Sequence, residues 1–288
     1  MSLNIAEAIG AYVKASSNKV KSSTVAVFIK ACFAGMFIGM GAAGSNVAAH
    51  NIGNVGVARL VAGSVFPVGL MMVILLGAEL FTGDCLAAMA VSDKKISVLE
   101  YIKLLITVYL GNFVGGAVFS LLIVFSNQLN YSSGLLGAYT INVAVNKVNL
   151  DFGVALVSGI LCNILVCAAV LMANCSKDIT GKLFVCFFVI MLFVTSGFEH
   201  CVANMYYITA GLLAKMNPSY VAVAVEQYHL DQNKIDSLNI MNFLYKNLLP
   251  VTIGNIVGGA ALLGLPLYYL NSSKQGIKDE SVKEVIEK

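Results

Sequence analysis

Along this chain, long apolar stretches alternate with short polar links. Residues 25–49, 58–91, 98–125, 152–173, 183–213 and 243–270 are almost continuously hydrophobic. About 20 helical residues cover the hydrocarbon core of a bilayer, and in lipid a helix satisfies its own backbone polar groups. The pattern therefore predicts an all-α membrane protein with six transmembrane helices. The second and fifth stretches are longer than a crossing requires. Each carries polar residues in its interior, Gly77-Ala78-Glu79-Leu80-Phe81-Thr82-Gly83-Asp84 and Thr195-Ser196-Gly197-Phe198-Glu199-His200. A continuous helix would bury those groups at membrane depth. A helix broken by a loop that lines a cavity accounts for both the length and the polarity.

The halves repeat. Gly111-Asn112-Phe113-Val114-Gly115-Gly116-Ala117 in the third stretch recurs as Gly254-Asn255-Ile256-Val257-Gly258-Gly259-Ala260 in the sixth. Gly77-Ala78-Glu79-Leu80 is echoed by Gly197-Phe198-Glu199-His200. Units of three crossings must be inverted relative to each other, here about 25–125 and 152–270. Inverted repeats with a break at the same place in each half point to a site at the bilayer midplane. The GxxxG spacing predicts close backbone approach.

Ahead of the bundle, residues 1–24 are too polar for a signal peptide. Ile5, Ile9, Tyr12 and Val13 share one helical face, followed by Lys14, Lys19 and Lys21. This predicts an amphipathic helix on the membrane surface. Residues 25–270 read as one channel domain, and 271–288 as a charged tail. Lysines favour the N-terminal segment, the links after the second and fourth stretches, and the tail. Both termini are therefore expected on the cytoplasmic side.

Composition agrees. The chain is 58% hydrophobic and 11% charged with mean hydropathy +0.83, against about 25% charge in soluble domains. A net charge of +3 gives no dense basic face, so no nucleic-acid partner is expected. The seven cysteines form no CxxC pair, and no second histidine accompanies His200-Cys201. A metal centre, cofactor or membrane enzyme is accordingly not expected.

His200 lies inside an apolar stretch, whereas His50 and His229 fall in predicted links. An ionisable residue there ordinarily faces a cavity or a partner. The repeat puts His200 at the start of the second half of a broken helix, with Thr82 at the equivalent break. Two positive helix ends beside an imidazole would make an anion site. Glu79 and Glu199 are expected to accept hydrogen bonds from loop N–H groups and hold the breaks in shape; a cation or proton path is the alternative. Asp84 is placed to cap its helix, and Pro67 to kink the first half of the second span. Asn163 either bonds between helices or meets the permeating species.

Taken together, Gly77 through Gly83, Gly159 through Asn163, Ser196 through Met205 and Val251 through Asn255 resemble the formate/nitrite transporter family across roughly residues 5–270. The resemblance is nearest to the clostridial hydrosulfide-channel branch. It implies a homopentamer of aquaporin-like protomers, each with its own pore in the cell (plasma) membrane. It also implies a central histidine at His200, with Thr82 and Asn163 nearby. Apolar constrictions map to Phe66, Leu70, Leu80 and Phe193, and a pore-entrance lysine to Lys147. Asp84 departs from the family pattern. The expected function is passive passage of a small monovalent anion, hydrosulfide first, with formate and nitrite open, and with a proton shared at His200. A neutral-solute pore is the alternative. Against it, paired Asn-Pro-Ala triplets are absent.

Overall fold

Six helices are long and apolar enough to cross a membrane in the computed structural model, which describes residues 2–271. They are α2 (Thr24–Ala49), α3 (Val55–Leu75), α5 (Val98–Phe125), α7 (Phe152–Cys175), α8 (Ile179–Ser196) and α12 (Ile240–Asn271). Shorter helices complete the bundle: α1 (Ile5–Lys21), α4 (Phe81–Ser92), α6 (Leu135–Val148), α9 (Cys201–Ala214), α10 (Pro218–Tyr228) and α11 (Gln232–Ser237). The second stretch divides into α3 and α4 and the fifth into α8 and α9, as their excess length required. The tail lies outside the described residues except for Asn271.

Glycines set the closest approaches. A Cβ on Gly111 or Gly115 of α5 would overlap the backbone of α2 at Phe28 and Cys32. One on Gly254 or Gly258 of α12 would overlap α7 at Leu156 and Ile160. The repeated motif thus performs the same task twice, letting backbones touch where lipid offers no hydrophobic drive for association.

The first helix begins with a capping box in which Asn4 and Glu7 bond each other's backbone N–H. Its apolar face, including Ile9, Tyr12 and Val13, is buried against the protein. The Tyr12 hydroxyl donates to the Gly83 carbonyl at 2.7 Å. The helix is amphipathic, but its greasy side serves the bundle. Helix α6 was hidden in a segment read as a link. Its burial of Ile141, Ala144, Val145 and Val148 follows helical spacing. It occupies in the second half the place that α1 holds in the first.

At Pro67 the helical ladder is interrupted between Val65 and Val68, because proline has no N–H to donate. In α12 two wider turns run over Phe243–Leu248 and Val257–Gly264.

Candidate functional site

Each broken span folds back at a glycine with positive φ, Gly77 at 68° and Gly197 at 75°, a conformation that favours glycine. Ala78 N–H then bonds Val73 O, and Phe198 N–H bonds Phe193 O. The residue before the second helix is Leu80 in one half and His200 in the other. His200 therefore corresponds to Leu80, and Thr82 stands two residues further on, inside the first turn of α4. The Thr82 hydroxyl points across to the other half.

One asparagine clamps each break. Asn112 Oδ1 accepts from Phe81 N–H at 2.9 Å, and its Nδ2 donates to Ala31 O and Glu79 O at 2.8 and 2.9 Å. Asn255 Oδ1 accepts from Cys201 N–H at 2.9 Å, and its Nδ2 donates to Gly159 O and Glu199 O at 2.7 and 3.0 Å. Both asparagines are fully buried. Sequence reading saw them only as letters in a repeat, though a lone amide beside the GxxxG glycines of an apolar helix was the available signal.

The two half-helix starts meet at the centre. His200 Nε2 lies 3.0 Å from Thr82 Oγ1, and both residues are buried. On its other side, Nδ1 accepts from Ala203 N–H at 3.1 Å, so the imidazole itself caps α9. That bond fixes the tautomer. Nδ1 carries the lone pair, and the neutral ring keeps its proton on Nε2, which donates to Thr82.

Apolar side chains stand around this pair. Phe66 and Phe193 meet edge to face with ring centroids 5.5 Å apart, and Phe193 lies 5.9 Å from the His200 ring. With His200 they line a cavity of about 280 Å³ on the α6 side. Leu70 and Leu80 line a second cavity of about 220 Å³ on the α1 side.

Charges flank the apolar zone. Lys147, in the last turn of α6, reaches inward to Glu199 Oε1 at 2.7 Å. Glu199 Oε2 accepts from Asn204 and Asn247 side chains at 2.6 and 3.3 Å. On the α1 side, Lys19 lies 2.5 Å from Glu79 Oε2 and 2.6 Å from Asp84 Oδ1. Lys19 and Lys147 each stand five residues ahead of the following span, at Thr24 and Phe152. The Glu79 carboxylate thus takes Lys19, and that of Glu199 takes Lys147 with two asparagines, where loop N–H groups had been expected. Asp84 pairs with Lys19 and caps nothing. Lys19, one of the lysines that follow the apolar face of α1, is thus the counterpart of Lys147.

Asn163 is fully buried, and its Nδ2 donates to Thr82 O and Asn255 O at 3.1 and 2.6 Å. Of the two roles open to it, the structure displays the interhelical bond. His50 is held at the end of α2 by Val47 O and Ser132 Oγ, away from the centre.

Six crossings, two opposed half-helix starts and a polar pair between apolar constrictions define a polytopic membrane transport protein. A match to the family described as formate/nitrite transporter runs over residues 6–269, and the chain belongs to that family. It is 41% identical to the formate channel FocA of Haemophilus influenzae over 76% of each chain. It is 34% identical to the formate channel FocA of Escherichia coli strain K12, over 92% of this chain and 91% of that one. Its fold is similar to a solved structure described as a pentameric formate channel with formate bound. There the TM-score is 0.76 at 31% identity, covering 86% of this chain and 97% of the other.

Proposed function

We propose that the protein is a passive channel for small monovalent weak-acid anions, with formate the leading substrate, assembled as a homopentamer in the cell membrane with both termini cytoplasmic. The Thr82–His200 pair between two helix starts carries this reading. An anion leaving water loses hydration worth several kcal/mol or more. Positive helix ends and the hydroxyl of Thr82, itself held by the Nε2–H of His200, replace part of that loss between the two greasy zones. The named formate channels among the relatives, one of them pentameric, support formate and five-fold assembly.

At the centre the anion accepts the Thr82 hydroxyl proton in a hydrogen bond while Nε2–H holds the threonine oxygen. Its charge is thereby shared without leaving the pore. Full proton transfer asks more. Nδ1 would have to take up a proton and give up Ala203 N–H. Hydrosulfide is the second candidate, because its conjugate acid titrates near neutrality and is apolar once formed.

Reconstituted vesicles test the reading by comparing formate, hydrosulfide, nitrite and chloride flux with glycerol swelling between about pH 5 and 8, bracketing imidazole titration. The expected result is formate flux well above chloride, no glycerol swelling, and a loss of about tenfold in His200→Asn. Glycerol permeation without anion flux would overturn the assignment. Undiminished pH-dependent flux in His200→Asn would remove the shared proton.

A further inference from the structure

The cavity on the α6 side holds two groups that the central site does not use. Arg59, the only arginine in the sequence, lies in the early turns of α3 and lines this cavity together with His200 and Lys147. Its guanidinium hangs over the second break: a Cβ on Gly197 would sit 3.9 Å from the Arg59 Cζ and one of its terminal nitrogens. Among the described residues it forms no ion pair. Lys147, by contrast, is already paired with Glu199. Asn46 on α2 lines the same cavity, is 6% exposed, and has an amide Nδ2 with no hydrogen-bond partner. A buried donor left unpaired costs about 1–3 kcal/mol, so a ligand that accepts from it is favoured.

We propose that Arg59 and Asn46 form a receiving site for planar, two-oxygen anions, a carboxylate foremost, ahead of the apolar constriction at Phe66 and Phe193. The proposal rests on the anion-pore reading and narrows its substrate class. A guanidinium presents a rigid fork of parallel N–H donors that matches two carboxylate oxygens at once, which a lysine ammonium cannot do. Hydrosulfide has a single heavy atom and can engage only one arm. Formate and nitrite can engage both, with Asn46 supplying a further donor. Lys147 cannot substitute for Arg59, since Glu199 already occupies its charge. Among the described residues, the α1-side cavity has no such free cation. There Lys19 faces Glu79 and Asp84 together, so the two mouths differ in the charge they offer.

The site is tested by binding and by flux on the full-length protein. Line broadening of carbon-13-labelled formate by detergent-solubilised protein at low salt reads binding without conduction. Broadening is expected for wild type and should fall at least about fivefold in Arg59→Gln. Asn46→Leu is expected to weaken it less. In vesicles, Arg59→Gln should raise the half-saturating formate concentration about five- to tenfold while maximal flux stays within about twofold. The hydrosulfide value should move less than about twofold, and Arg59→Lys should not restore the preference for formate. Unchanged formate broadening in Arg59→Gln, or equal shifts for formate and hydrosulfide, would overturn the site. Failure of the pore reading looks different: formate broadening that depends on Arg59, in a protein that passes no anion.

Discussion

The hydrogen bond between Thr82 and His200 ties the first turn of one half-helix to the capping residue of the other, and it runs from Nε2–H to Oγ1 because Ala203 already occupies Nδ1. Thr82 accepts in this bond, so its own hydroxyl proton is free for a permeating species. Thr82→Ser keeps both capacities and should retain flux within about twofold. Thr82→Val keeps the shape but strands the Nε2–H in an apolar surround, a penalty of about 1–3 kcal/mol. Formate flux in vesicles should fall about tenfold or more. Wild-type flux in Thr82→Val would show that the pair is only structural.

The clamps make a different prediction. Asn112 and Asn255 each satisfy three backbone groups that the breaks would otherwise leave open. Replacing either with leucine fills a similar volume and orphans those groups. Each substitution should cost about 2–5 kcal/mol and lower the melting temperature of the detergent-solubilised protein by several degrees. Because the bonding is symmetric, the two losses should be similar in size. A large effect at one position and none at the other would mean that only one break depends on its asparagine.

Much of this architecture was legible because membrane physics leaves few choices. Six apolar stretches, the two overlong ones and the repeated Gly-Asn motif led directly to the crossings, the breaks and the close contacts. What was missed lay where hydrophobicity is silent. Helix α6 is buried by protein yet carries enough polar residues to pass for a link. That Thr82, two residues past the Leu80 that the repeat pairs with His200, bonds the imidazole depends on how the two halves dock. The partners of Glu79 and Glu199 were out of reach for the same reason: Lys19 and Lys147 come from helices whose docking no local pattern discloses.

The glycine contacts can be tested against an internal control. Gly115 and Gly258 press on carbonyls of Cys32 and Ile160, so even alanine forces the helices apart. Gly115→Ala and Gly258→Ala should each cost about 1–3 kcal/mol, as overpacking does. The losses should appear as reduced yield of folded protein and a lower melting temperature. Gly53 has open space where a Cβ would sit, and Gly53→Ala should behave as wild type. Equal behaviour of all three would remove the claim that these contacts set the helix spacing.

Asp84 gives the α1-side mouth a charge that its counterpart lacks. Lys19 there faces two carboxylates, while Lys147 faces one. Burial alone would push the Lys19 pKa down, but Asp84, then Tyr12 and Glu79, outweigh it and hold the ammonium well above the usual lysine range. A group raised in the folded state stabilises fully below its unfolded pKa, about 10.4 for lysine. That contribution is lost only as pH climbs through the still higher folded value. From pH 5 to 9, a window below that pKa, Lys19 therefore stays charged. Asp84→Asn leaves Lys19 paired with Glu79 and removes the surplus negative charge. Anions approaching from the α1 side should then pass about two- to fivefold faster at low salt, with the gain shrinking as salt screens the mouth. Flux measured in vesicles of sorted orientation should show the gain from that side alone. A gain from both sides, or one insensitive to salt, would place the effect of Asp84 in the pore interior and not at its mouth.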